Sequence, residues 1–182
     1  MVVQRIKKQQ LRRLAQRALE ERGHAVTVEA GRGLVAGARL RAVSGDGERR
    51  VAVRVSLDRE IGFSRHPDGR WMTMPNVDDV LVVVPSTDNV EMADIFLFES
   101  EILEECFRQA LEARTGDGKD IPTKSTIFVA LDEVERGRSS RGPSNVKERA
   151  AWSCIMPLAA HKDVQASENS LFHCQKAKIL WM

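Results

Sequence analysis

The chain has 182 residues, 42% of them hydrophobic and 30% charged, a balance that fits a folded, soluble globular protein and excludes a disordered one. No apolar run approaches the ~18 residues that a membrane-spanning helix needs. Met1 opens onto a charged segment without an apolar leader core and the three cysteines are an odd number, so a cytoplasmic protein without a disulfide framework is expected.

The net charge of +2 conceals an asymmetry. Residues 1–22 carry Arg5, Lys7, Lys8, Arg12, Arg13, Arg17 and Arg22 against Glu20 and Glu21, whereas residues 78–105 carry nine carboxylates and no lysine or arginine. Such a distribution steers polyanions towards one side of a molecule, unless each run is simply the solvated face of a helix.

In chain order, residues 2–22 read as an amphipathic helix. Leu11, Leu14, Ala15 and Ala18 share one face, Arg5, Arg12, Arg13 and Arg17 gather opposite, and Gly23 is the stop. Strands are expected at 24–28 and 34–43, and Ser44-Gly-Asp-Gly47 is a hairpin turn into the alternating run Arg50 to Leu57. Residues 58–78 hold no long helix; Phe63-Ser-Arg65 and Arg70-Trp-Met-Thr73 suggest a small hairpin across Pro67-Asp-Gly69. Val80 to Val84 is continuously apolar and β-branched, the pattern of a strand buried on both faces. A strand at 95–98 follows, then a helix from Ser100 to about Arg114 with Ile102, Leu103, Cys106, Phe107, Ala110 and Leu111 inward, then a strand at 126–131.

After Leu131 the periodicity fails. Residues 135–143 are rich in Gly, Ser and Arg and read as a linker, which places a core domain at 1–134 and a linker with a C-terminal extension at 135–182. Residues 144–182 contain Trp152, Phe172 and Trp181 and either pack as short helices or stay partly disordered.

The order helix, three strands, insertion, two strands, helix over residues 2–114 resembles the restriction-endonuclease-like fold of the PD-(D/E)xK nuclease superfamily. The residues that carry the resemblance are Val51-Ala-Val-Arg-Val-Ser-Leu-Asp58, Gly62-Phe63, Asp79-Val-Leu-Val-Val-Val84, Ile95 to Phe98 and Glu101-Ile-Leu103. It implies an α/β (α+β) fold, a mixed central sheet flanked by helices. It also implies that Arg54 and Ser56 occupy the acidic and lysine positions of the third strand, and that the aspartate of the preceding strand falls near Ala38 or Arg39. Those nucleases hold Mg2+ on carboxylates and set a lysine beside the attacking water. A guanidinium cannot ligate Mg2+.

The expected function is therefore a non-catalytic nuclease-like domain that binds nucleic acid or a nucleic-acid-handling complex; a mobile-element or defence context is what the resemblance adds. The candidate contacts are Lys7, Lys8, Arg12 and Arg13 on the first helix and Arg54, Arg59, Arg65 and Arg70 around the third strand, with Trp71 or Phe63 to stack on a base. Against this, Arg54 or Arg59 can pair with Asp58, Asp78 or Asp79 instead. No catalytic residue, metal ligand or cofactor is assigned. Cys154, His161, His173 and Cys174 lack the paired spacing of a zinc knuckle, Cys106 reads as core, and no Walker A, dinucleotide or HExxH motif is present. Two alternatives stand: a protein-interaction module, homo- or hetero-oligomeric, using the acidic region and the aromatic-containing tail, and a divergent Mg2+-dependent nuclease using Asp58, Asp78, Asp79 or Glu91. Glu20 and Glu21 are either a migrated metal carboxylate or surface charges.

Overall fold

The computed structural model describes residues 8–29, 39–65, 76–115, 126–132 and 145–158. Its elements are α1 (Lys8–Glu20), β1 (Ala25–Val28), β2 (Arg39–Ser44), β3 (Gly47–Val55), β4 (Glu60–Ser64), β5 (Asp79–Pro85), β6 (Met92–Glu99), α2 (Ser100–Thr115), β7 (Thr126–Ala130), a single 3-10 turn (Val146–Arg149) and β8 (Trp152–Pro157). Six strands form one sheet in the order β1-β2-β3-β5-β6-β8, and β4 pairs with β7 as a separate two-stranded ribbon. All pairings are antiparallel except β3 with β5. The architecture is thus mixed α+β, a mixed sheet carrying two helices.

Each helix follows from its apolar spacing. Leu11, Leu14, Ala15, Ala18 and Leu19 of α1 are buried against Val51, Val53, Leu81, Val83, Ile95 and Leu97, which point from one face of the sheet. The helix ends where Gly23 takes φ 84° and its N–H bonds the Glu20 carbonyl at 2.9 Å, a conformation that glycine adopts without penalty. On the other face, Leu103, Cys106, Phe107, Ala110 and Leu111 of α2 pack with Val80, Val82, Val84, Phe96 and Phe98. The β4–β7 ribbon completes that layer with Ile61, Phe63, Ile127 and Val129, and Phe63 meets Phe107 edge-on at 4.8 Å between ring centres.

β5 therefore has cover on both sides, as its unbroken apolar run requires: every residue from Asp79 to Val84 is buried. Asp79, 1% exposed, is neutralised by a bidentate Arg49, one arm of which measures 2.6 Å. Asp78, beside it, accepts the Arg50 N–H at 2.7 Å.

Two expectations need correction. The sheet does not end before residue 135: β8 pairs with β6, and Val146, Met156 and Leu158 are buried, so the packed unit runs through at least residue 158. β4 pairs with β7, in the register Ile61 with Val129, and the expected hairpin partner at residues 70–73 lies outside the described residues. Trp152 belongs to a strand rather than a short helix, and the Arg22 guanidinium lies 3.9 Å above its ring. The expected linker around Arg138–Gly142, the strand portion 34–38 and the aromatics Phe172 and Trp181 lie outside the described residues. No helix among the described residues is long and apolar enough to cross a membrane.

Candidate functional site

A cleft of about 340 Å³ opens where β3 leaves the sheet, bounded by Lys8 of α1, Arg54 to Asp58, Val82, and Glu60, Ile61, Gly62, Ser64, Thr126 and Phe128 of the ribbon. Its position follows from the topology. β3 and β5 run parallel, so the chain must cross over between them. β4 makes the first part of that crossing, and its pairing with β7 raises a wall facing the end of β3.

Arg54 is the central side chain of this wall. It alternates with Val53 and Val55, which lie on the α1 side, and so points towards the ribbon. Its Nη2 donates to the Gly62 carbonyl at 2.6 Å, and its guanidinium lies 4.7 Å from the centre of the Phe63 ring. Among the described residues no carboxylate pairs with it. Burial, and then the neighbouring charge of Arg12, push its pKa below the usual arginine value. Arg12 is itself half-buried, with a buried Nε that finds no hydrogen-bond partner among the described residues. Two like charges held together in partial burial, neither matched by a carboxylate among the described residues, form a field that an anion would relieve.

The remaining lining is polar and mixed in sign. Ser56 takes the Val83 carbonyl at 3.2 Å through its N–H, and its Oγ accepts the Asp58 N–H at 3.3 Å. The hydroxyls of Ser64 and Thr126 lie 3.1 Å apart across the ribbon. Asp58 is exposed at the rim.

The structure brings only some of the expected contacts together. Lys8 and Arg54 line the cleft, and Arg12 stands behind it. Arg13 is exposed on α1, and Arg65, at the end of β4, has a partner of its own. Lys7, Arg70 and Trp71 lie outside the described residues. Arg59 is a correction. Its side chain is 12% exposed and is consumed inside the fold, donating to Asp94 at 2.9 Å, to the Pro85 carbonyl at 3.0 Å and to Asp132. It pairs with none of Asp58, Asp78 or Asp79, and it clamps the loop that shapes the cleft instead of facing a ligand. Phe63 is another: fully buried, it supports Arg54 and is closed to any base.

The relocated carboxylates do not converge either. Asp79 pairs in register with Val51, whereas Val82, which lines the cleft, pairs with Arg54, so Asp78 and Asp79 sit about three residues further down the sheet, roughly 10 Å away. Glu20 accepts from Gln16 and Glu21 from Arg17, at the end of α1 away from Lys8. No group of three or more His, Cys, Asp or Glu side chains among the described residues is placed to hold a metal ion. Cys106 is core, and its Sγ accepts from Arg149 at 3.1 Å.

Ser64, Thr126 and Phe128 were not expected at the site, and Gly62 was named only through the resemblance. The alternation Ile61/Phe63 and Ile127/Val129 marks two half-buried strands, but nothing local says that they pair. Comparison with protein-family models, with curated proteins and with solved structures returned no match.

Proposed function

We propose that this is a non-catalytic domain that holds nucleic acid through phosphate contacts in the cleft beside β3. The observation that carries the reading is Arg54: a half-buried guanidinium on a cleft wall, beside Arg12, with no carboxylate partner among the described residues. Arginine in that setting suits phosphate, whose oxygens accept its planar array of donors.

A restriction-endonuclease-like core is part of the proposal. What supports it is the succession of α1, an antiparallel β1-β2-β3 meander and β5 parallel to β3, with Arg54 and Ser56 together at the cleft. A guanidinium at the first of those positions, a hydroxyl at the second and Arg39, not a carboxylate, opposite Ala52 favour holding over cleaving.

The test is a binding titration with single-stranded and duplex DNA and RNA at several salt concentrations, beside a nuclease assay with Mg2+ and Mn2+. Binding should weaken as salt rises, and Arg12→Gln with Arg54→Gln should shallow the salt slope by about one unit per lost contact. No binding at low salt would leave the protein-interaction module in its place. Metal-dependent cleavage that disappears in Asp58→Asn would overturn the non-catalytic reading.

A further inference from the structure

The lining of the cleft is divided by charge. Lys8 and Arg54 stand on the side of α1 and β3, while two carboxylates stand opposite in sign, Asp58 exposed at the rim formed by the β3–β4 connection and Glu60 at the start of β4. A nucleic-acid strand threaded through the cleft would carry successive phosphates past both signs of charge, and any phosphate near Asp58 or Glu60 would be repelled. One phosphate at Arg54, with an uncharged group beyond it, meets no such conflict.

The rest of the lining suits that uncharged group. Ser64 and Thr126 offer hydroxyls 3.1 Å apart, able to exchange hydrogen bonds with a sugar. Phe128, half-buried, lies with its ring against Gly62, where no side chain intervenes. At about 340 Å³ the space is at the small end of ligand pockets, the scale of one nucleotide and not of a duplex.

We propose that the cleft accepts a single phosphate-terminated nucleotide unit, its phosphate on Arg54 and Lys8 and its sugar and base on Ser64, Thr126 and Phe128. The inference rests on the phosphate-holding role proposed above and narrows it from a backbone to an end. A terminal phosphate also carries more charge than an internal one and more free oxygens for a guanidinium to bind. Two sources present this chemistry, the end of a strand and a free mononucleotide.

The experiment is a competition assay on the full chain, reading displacement of a labelled single-stranded oligonucleotide phosphorylated at its ends. The competitors are the same oligonucleotide with hydroxyl ends, a circular single strand without ends, and a free nucleoside monophosphate. The phosphorylated oligonucleotide should compete at least about tenfold better than the hydroxyl-ended one or the circle, the equivalent of one charge-assisted hydrogen bond. Arg54→Gln, which keeps a donor for the Gly62 carbonyl, should abolish the preference. Asp58→Asn, at an exposed position, should improve binding of the circle and leave the phosphorylated end unchanged. Equal competition by all strands overturns the inference while strand binding itself survives. Displacement by the mononucleotide, with no strand binding above its level, makes the free nucleotide the ligand and overturns the nucleic-acid reading instead. If no competitor or strand binds, both fall.

Discussion

Arg59 donates to Asp94 across 2.9 Å while its Nε holds Asp132, so one guanidinium ties the β3–β4 connection to β6 and to the exit of β7. The residue itself takes φ 56°, a left-handed conformation that a non-glycine side chain adopts only where its surroundings enforce it. Lys147 reaches the other oxygen of Asp132 at 2.6 Å and extends the clamp to the 3-10 turn. All three members of the central triad are largely buried, at 12%, 15% and 18% exposure, so the network is shielded from screening by salt.

Removing the central cation strands two carboxylates. Arg59→Ala should destabilise the protein by about 3 kcal/mol or more, the usual cost of breaking a buried pair on one side. Chemical denaturation of the variant and the parent measures it. A loss below about 1 kcal/mol, the range of an exposed pair, would mean that the clamp contributes little.

The clamp also makes stability depend on pH. Burial alone would raise the Asp132 carboxyl, but Arg59 and Lys147 overcome it and hold the group below its ordinary value of 3.8. Because the folded-state pKa is the lower one, the stabilisation is complete above the ordinary value and is lost as pH falls through the folded-state value. Urea titrations from neutral to acidic pH should therefore show a steeper acid loss in the parent than in Asp132→Asn. Parallel losses in the two proteins would assign the acid sensitivity elsewhere.

Gly62 sits against the Phe128 ring. A methyl group there would lie 2.5 Å from Cε1 of that ring, so one of the two must move. Gly62→Ala should cost about 1–3 kcal/mol through overpacking. Adding Phe128→Leu should recover part of the loss, since it removes the clashing edge, and a thermal-melt comparison of the three variants reads the coupling. Additive losses in the double variant would place the strain on the backbone rather than on the ring.

The extent of the sheet yields a truncation test. Ending the chain at residue 134 deletes β8 and removes the buried Val146, Met156 and Leu158, each contributing about 1.5–3 kcal/mol. It also uncovers the β6 edge from Met92 to Leu97. A fragment ending at 134 should melt well below one ending at 158 and aggregate more readily. Equal melting would show β8 to be dispensable.

How much of this could be read in advance depended on whether the signal was local. The spacing of Leu11, Leu14, Ala15 and Ala18 and the unbroken run Val80–Val84 determine which faces are buried, and α1 and β5 followed directly. The hairpin at Ser44–Gly47 is local chemistry too. β8 was not legible because edge position leaves only Met156 of its six residues buried, which erases the alternation. The β4–β7 ribbon was missed for another reason: Ile61 and Val129 find each other through the tertiary fold, and neither strand specifies its partner. The same holds in the site. Arg54 stands out by sequence as a cation among β-branched residues and its contact with Gly62 is made to the next strand, but the diversion of Arg59 to Asp94 and Asp132 depends on distant segments.

The wall of the cleft has a consequence for how the protein acquires any binding capacity. Closing a long loop costs entropy before its contacts repay it, so pairings between distant segments tend to form late. α1, β1, β2 and β3 are neighbours in sequence and can assemble first, with Arg54 already on its strand. Until β7 arrives and docks on β4, the wall facing that arginine lacks Thr126 and Phe128 and the cleft is incomplete. Ligand capture would then serve as a readout of completed assembly, rising in refolding kinetics only after most of the sheet signal has returned.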